Sequence, residues 1–296
     1  MNSEKTRNIT IEQILEQRKI DLNKSMAKMP LEEIKKDLKD VDDPKNFKKA
    51  LKSKETFPLI CEYKPASPSL GDISSRGLKE TLILYKEGGA SAVSILTEER
   101  FFKGNIEFLN QASKLIDIPI MRKDFLLDEY QIFEARANGA SSVLLMSGVY
   151  PDISAGIEIS RSLGMEPLVE CKNSIDVFKA IDADAEIIGI NNRSFKDFSI
   201  DLKRTKAVAP LIPEDVVLVS ESGINNLEDV KTVCGYGIDA LLIGTSVMRS
   251  NNVVETIQRF IEIAKSSAEI YHKSNPKKPR ANAKHRTGDG SFEQFA

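Results

Sequence analysis

Hydrophobic positions in this chain follow two alternating periods. From Thr10 to about Asp40 they recur at helical spacing, with Ile11, Ile14, Leu15 and Ile20 forming a stripe between charged residues. Thr10 with Gln13 three residues on makes a helix-start box, and Pro30 restarts a second short helix through Leu31 and Ile34. From Pro58 onward, short apolar runs predict strands over 58–63, 92–96, 118–121, 142–146, 166–169, 187–190, 216–220 and 240–243. Amphipathic stretches between them predict helices over 78–86, 106–116, 129–137, 153–163, 175–181, 202–209, 227–233 and 253–266. Gly88-Gly89, Asn138-Gly139, Gly164 and Gly235-Tyr236-Gly237 punctuate helix ends.

Eight strand–helix units within about 210 residues predict parallel strands with helical crossovers, and eight is the closing number of a TIM barrel. A doubly wound dinucleotide fold would need a Gly-x-Gly-x-x-Gly turn near the first strand, and the chain has none. The predicted fold is α/β, a (β/α)8 TIM barrel with additional N-terminal helices. Residues 1–50 read as the helical extension, 51–270 as the barrel and 271–296 as a basic tail. Lys277, Lys278, Arg280, Lys284 and Arg286, set among Pro, Asn and Gly, make the tail a disordered, solvated segment rather than a nucleic-acid arm.

Composition narrows the chemistry. A hydrophobic content of 41% in 296 residues supports a sizeable core, and a net charge of −2 gives no field for nucleic acid. No apolar run approaches the roughly 20 residues of a membrane span. Cys61, Cys171 and Cys234 are widely spaced, with no Cys-x-x-Cys and no secretory leader, which points to free thiols in the cytoplasm. The two histidines, His272 and His285, lie near the C-terminus in polar sequence. That argues against a Ser-His-Asp relay and a His-based metal site in the main domain, so acid–base work falls to Lys, Glu and Asp.

In such a barrel, catalytic groups sit where strands end. The first predicted strand ends in Glu62 and Lys64, which alternation places on one face. The third ends in Arg122-Lys123-Asp124-Phe125, the fifth in Glu170, the sixth in Asn191-Asn192-Arg193 and the seventh in Glu221-Ser222-Gly223. The eighth ends in Gly244-Thr245. Lysines and glutamates directly after buried apolar strands cost free energy unless they are paired or used. If Glu62 and Glu170 face inward, Cys61 and Cys171 face the helix layer as small packing residues. Ser222-Gly223 and Gly244-Thr245 follow the last two strands, where many barrels bind phosphate through backbone N–H groups. A phosphorylated small substrate is the expectation.

These segments resemble the indole-3-glycerol-phosphate synthase family. The match rests on Glu62-Tyr63-Lys64 with Ala66-Ser67-Pro68-Ser69, Arg122-Lys123-Asp124-Phe125, and Tyr130-Gln131-Ile132 with Glu134-Ala135-Arg136. It continues through Leu168-Val169-Glu170, Ile188-Gly189-Ile190-Asn191-Asn192-Arg193, Val219-Ser220-Glu221-Ser222-Gly223-Ile224 and Leu242-Ile243-Gly244. The resemblance runs from about Ile11 to about Ile263 and implies that the additional N-terminal helices cap the catalytic rim. It implies a lyase of tryptophan biosynthesis that closes the indole ring of a carboxyphenylamino-deoxyribulose phosphate with loss of carbon dioxide and water. It implies no metal and no organic cofactor, and it leaves association with other enzymes of the pathway open.

By the same resemblance, Lys123 is a general acid, Glu170 a base or charge stabiliser, and Asn191 an orienting group. Glu62 and Lys64 pair, with Lys64 either a second acid or a phosphate contact. Ser67, Arg193 and Glu221 bind substrate, and Phe125 and Leu145 seat the aromatic ring. Ser222, Gly223, Gly244 and Thr245 hold the phosphate. The chain departs from the family at Pro65 and Leu70, where basic residues are common, and at Cys171-Lys172-Asn173. The stretch after Ser274 is expected to lack a family counterpart. A phosphoribosyl isomerase-type barrel would share the phosphate site but not the glutamates and lysines.

Overall fold

The computed structural model of the protein describes residues 9–53, 55–194 and 197–275. Strand β1 (Leu59–Tyr63) leads into a small hairpin, β2 (Ala66–Ser67) and β3 (Gly71–Asp72). Then come β4 (Ala92–Leu96), β5 (Ile120–Lys123), β6 (Ser142–Met146), β7 (Leu168–Cys171), β8 (Ile187–Asn191), β9 (Val217–Glu221) and β10 (Ala240–Ile243). All but the hairpin strands pair in parallel and close into one barrel in the order β1-β10-β9-β8-β7-β6-β5-β4. This is the eight-stranded (β/α)8 barrel.

Two strands begin two residues later than the apolar runs suggest, for one reason. Pro119 and Pro167 have no N–H to give to a ladder, so β5 starts at Ile120 and β7 at Leu168. Both strands then run two residues further, and Lys123 and Glu170 lie inside them rather than beyond them.

Alternation divides the core into two layers. Ile60, Ala92, Met121, Leu144, Leu168, Val219 and Leu242 fill the barrel interior. Cys61, Val93, Val143, Leu145, Val169, Cys171 and Leu241 pack outward against the helices. The three cysteines are free and buried, with Cys234 also in the outer layer.

Before the barrel, α1 (Ile11–Lys28), α2 (Leu31–Asp37) and α3 (Phe47–Ala50) form in turn. Thr10 and Gln13 make the expected capping box at α1. The face that α1 buries is Ile14, Arg18 and Leu22, whereas Ile20 is exposed. The apolar stripe therefore runs through an arginine, because Arg18 reaches a buried carboxylate of the barrel. Ile14 shares the interior cluster with Phe125 at the C-terminal end of the strands. At the opposite end, Phe47 and Leu51 join the same cluster, while Lys48 pairs with Glu186 and Lys52 donates to Asp215 O. Glu186 immediately precedes β8, and Asp215 lies two residues before β9.

The outer helices are α4 (Leu78–Gly88), α5 (Glu107–Leu115), α6 (Glu129–Ala137), α7 (Ile153–Ser162), α8 (Ser174–Asp182), α9 (Lys203–Val208), α10 (Leu227–Cys234), α11 (Thr245–Met248) and α12 (Val253–Ser274). The last outruns its expected end at residue 266, and Tyr271 packs over Gly237. The tail is expected from residue 271, but residues 271–274 continue α12, and residues 276–296 lie outside the described residues. Among the described residues, no helix is long and apolar enough to cross a membrane.

Candidate active site

The inward positions at the C-terminal ends of the strands are polar where those below them are apolar. Glu62 on β1, Lys123 on β5, Glu170 on β7, Asn191 on β8 and Glu221 on β9 all line one cavity of about 380 Å³. Strand pairing fixes their spacing, with Asn191 beside Glu221 and Leu96 beside Lys123. Lys64, just past β1, and Arg193, just past β8, complete the polar floor.

Three carboxylates and three cations share this space. Lys123 Nζ donates to Glu221 Oε2 at 2.8 Å and lies 3.5 Å from Glu170 Oε2. Lys64 Nζ is 2.6 Å from Glu62 Oε1. Burial works against the Lys123 ammonium, but Glu221, Glu170 and Glu62 outweigh it and hold the charged form well above its ordinary range. Burial likewise opposes the Glu62 carboxylate, and Lys64 and Lys123 reverse the balance and lower it. Burial pulls the Arg193 guanidinium down, with Glu62 opposing. Asn191 Oδ1 accepts from Arg193 N at 2.9 Å, which ties the orienting amide to the arginine's backbone. Among the described residues, no group of three or more His, Cys, Asp or Glu side chains is placed to hold a metal ion.

Glu221 behaves differently from Glu62. Burial pushes it up to about 7, against the pull of Lys123 and with repulsion from Glu170 and Glu62. Its folded value lies above the ordinary 4.5. The stability it contributes is therefore fully present below that ordinary value and is lost as pH rises through about 7. Relative to Glu221→Gln, the wild-type protein is expected to lose melting temperature between about pH 5 and about pH 8. Melting curves of both proteins at both pH values test this, and a constant difference between them would refute it.

The other predicted residues divide. Ser67, Phe125, Ser222, Gly223, Gly244 and Thr245 all line the cavity. Ser67 Oγ is buried and has no hydrogen-bond partner among the described residues. A β-carbon at Gly244 would collide with Glu62 Oε1, so only glycine leaves room for that carboxylate. Leu145 is a correction. Period-2 alternation turns it outward into the helix layer, and its neighbours Leu144 and Met146 face the cavity instead. β9 and β10, which lead into the Ser222-Gly223 and Gly244-Thr245 turns, lie across the barrel from β5 and β6.

Several lining residues carry no signal in the local sequence. Phe102 reaches the cavity from the loop after β4, with its ring 6.1 Å from that of Phe125. Glu98 shapes this loop by accepting the backbone N–H groups of Arg100, Phe101 and Phe102. Ala66 N donates to Phe102 O at 3.2 Å, joining the loop to the hairpin that carries Ser67. Ile11 and Ile14 of α1 close one wall. Arg249, at the end of α11, stands on the rim beside Thr245.

A family model described as indole-3-glycerol phosphate synthase matches residues 11–260. The indole-3-glycerol phosphate synthase of Methanothermobacter marburgensis is 47% identical over 286 residues, covering 97% of this chain and 99% of the relative. That coverage exceeds what residues 1–274 could supply, which corrects the expectation that the tail has no counterpart. The synthase of Aquifex aeolicus is 39% identical over 235 residues, covering 78% of this chain and 90% of its own. Among solved structures, a thiamine phosphate pyrophosphorylase from Pyrococcus furiosus superposes with a TM-score of 0.55 at 17% identity, covering 71% of this chain and 96% of that chain, and it shares the fold alone. With a matched family model spanning the barrel and relatives this similar along most of their length, the chain belongs to the indole-3-glycerol phosphate synthase family.

Proposed function

We propose that this protein converts 1-(2-carboxyphenylamino)-1-deoxyribulose 5-phosphate to indole-3-glycerol phosphate. The observation that carries the reading is Lys123, an ammonium held between Glu170 and Glu221 in a cavity with apolar walls on one side and glycine-bearing turns on the other. The reaction needs an acid where oxyanion charge develops and a carboxylate where positive charge develops. Both are within one side chain's reach here.

In this mechanism the carboxyl-bearing ring carbon attacks the ketone carbon, forming the new C–C bond. Lys123 gives its proton to the ketone oxygen as that bond forms. Carbon dioxide then leaves, and its bonding electrons return to the ring. Glu170 supports the cationic aromatic amine and later takes the proton whose loss accompanies departure of water. Asn191 and Glu221 orient these groups. Lys64, paired with Glu62, serves the dehydration or the phosphate. Arg193 meets the substrate carboxylate with its planar fork. Ser67 offers an otherwise unpaired hydroxyl, and Phe102, Phe125, Leu144 and Met146 seat the aromatic ring. Ser222, Gly223, Gly244 and Thr245 take the phosphate through backbone and hydroxyl donors.

Arg249 extends the phosphate end and offsets the missing basic residues at Pro65 and Leu70. Arg249→Ala is expected to raise KM roughly five-fold with kcat little changed, the scale of about 1 kcal/mol for a solvent-facing charge. Steady-state kinetics at low and high salt check this, since the effect shrinks as salt screens the charge. The function itself is tested by incubating purified protein with the carboxyphenylamino-deoxyribulose phosphate and following indole fluorescence. Absence of product at high enzyme concentration rejects the assignment.

A further inference from the structure

Asn192 neighbours the orienting Asn191 in sequence but faces the other way. It is fully buried and does not line the cavity. Its Nδ2 donates to Ser220 Oγ at 3.0 Å, to Glu221 O at 3.1 Å and to Ser222 O at 3.2 Å. Its Oδ1 accepts from Thr205 Oγ1 at 2.9 Å and from Thr205 N at 3.3 Å. Thr205 Oγ1 and Ser220 Oγ are themselves 2.9 Å apart. The backbone adds two more links, Asn192 N to Glu221 O and Asp201 N to Asn192 O, both at 2.9 Å.

The turn on which these bonds converge is strained. Ser222 has φ +65°, a left-handed conformation that a residue with a β-carbon adopts only under constraint, and Gly223 follows at φ +82°. Such a conformation persists when surrounding bonds over-determine it. Asn192 supplies that constraint from behind the cavity. Only an amide does so here: it donates to two carbonyls while accepting from Thr205. A carboxylate lacks the donors, and an aliphatic side chain lacks both functions.

We infer that Asn192 is a positioning residue that holds the Glu221-Ser222-Gly223 turn in the shape that receives a phosphate. The inference rests on the phosphate role given to that turn under the proposed function. Asn192 touches no substrate atom in this account and acts through Ser222 and Gly223. It also explains why two adjacent asparagines follow β8. One faces the cavity and the other fastens the neighbouring strand end.

The test uses the full-length protein with inorganic phosphate as the probe, measured by calorimetry without turnover. Asn192→Ala is expected to raise the phosphate dissociation constant roughly ten-fold, the scale of a lost buried hydrogen-bond set. KM for the phosphorylated substrate rises in parallel. Binding of anthranilate, which has the ring and carboxylate but no phosphate, stays within about two-fold. Equal weakening of phosphate and anthranilate would indicate general loosening and overturn the inference, as would unchanged phosphate binding. Thr205→Val keeps the side-chain shape and removes one partner of the amide, and it is expected to weaken phosphate binding about three-fold. If Asn192→Ala does not fold, the Thr205 variant decides, and an unchanged constant there overturns the inference. A wild-type protein that binds phosphate but forms no indole product would reject the proposed function and leave this test intact.

Discussion

Lys123→Ala is expected to lower kcat at least about 100-fold, and Glu170→Gln by a comparable factor, the scale of a positioned general acid or base. The two variants fail for different reasons. Alanine at Lys123 removes the proton that meets the developing alkoxide, and it also removes the cation between Glu170 and Glu221. Those buried carboxylates then face each other with less compensation, so Glu221 moves further above its already raised value. The variant should therefore be inactive across the pH range rather than rescued at an extreme. Glutamine at Glu170 keeps the shape and a hydrogen-bond acceptor, and it loses only the charge and the basicity. KM should stay near the wild-type value in that variant, because the phosphate and ring contacts lie elsewhere. Stopped-flow or steady-state indole fluorescence measures both constants. Near-normal turnover in either variant removes that residue from its proposed role.

Much of this arrangement is legible in the sequence. Lys and Glu directly after apolar strands are expensive in a core, and that cost marked Glu62, Lys64, Lys123, Glu170 and Glu221 as a set. The inward alternation that grouped the glutamates also turned Cys61 and Cys171 outward, as found. The same rule, applied to Leu145, would have pointed to Leu144 and Met146. The resemblance supplied a residue there without testing its face. Strand limits erred where proline interrupts hydrogen bonding, at Pro119 and Pro167, because hydropathy does not register a missing donor. Spacing places Ile20 in the core, but Arg18 takes the buried face of α1 instead. Its partner lies 106 positions away, and no local pattern reports a pairing at that distance. Phe102 and Arg249 were missed for the same reason. Loop residues enter a site through closure of the barrel, and closure is a tertiary event.

The residue beside Lys123 should produce a large stability change when truncated. Arg122 is 1% exposed and points outward from β5, opposite in face to its neighbour. Its guanidinium donates from Nε to Thr97 Oγ1 at 3.1 Å and from Nη1 to Gln131 O at 2.7 Å and to Glu134 Oε2 at 2.8 Å. Nη2 meets Asp124 Oδ2 at 3.2 Å, where Arg18 and Thr97 also donate. Burial would raise the Asp124 carboxyl, but Arg18 and Arg122 outweigh it and hold it below its ordinary range. Arg122→Ala is expected to cost about 3–5 kcal/mol, because it leaves the largely buried Glu134 carboxylate without its cation and the buried Asp124 with Arg18 as its one remaining cation. Denaturant unfolding of wild type and variant measures the loss. Adding Glu134→Gln should recover part of it, since the unpaired charge goes too, whereas Arg18→Ala should cost less alone because it leaves Glu134 paired and Asp124 with Arg122. Asp124 contributes its stability above its ordinary 3.8, and that part fades as pH falls through the lower folded value, so the gap between wild type and Arg122→Ala should narrow in acid. A loss below about 1 kcal/mol would mean the network is solvated rather than buried. It would also undo the division of labour on β5, where Lys123 faces the substrate and Arg122 holds the frame.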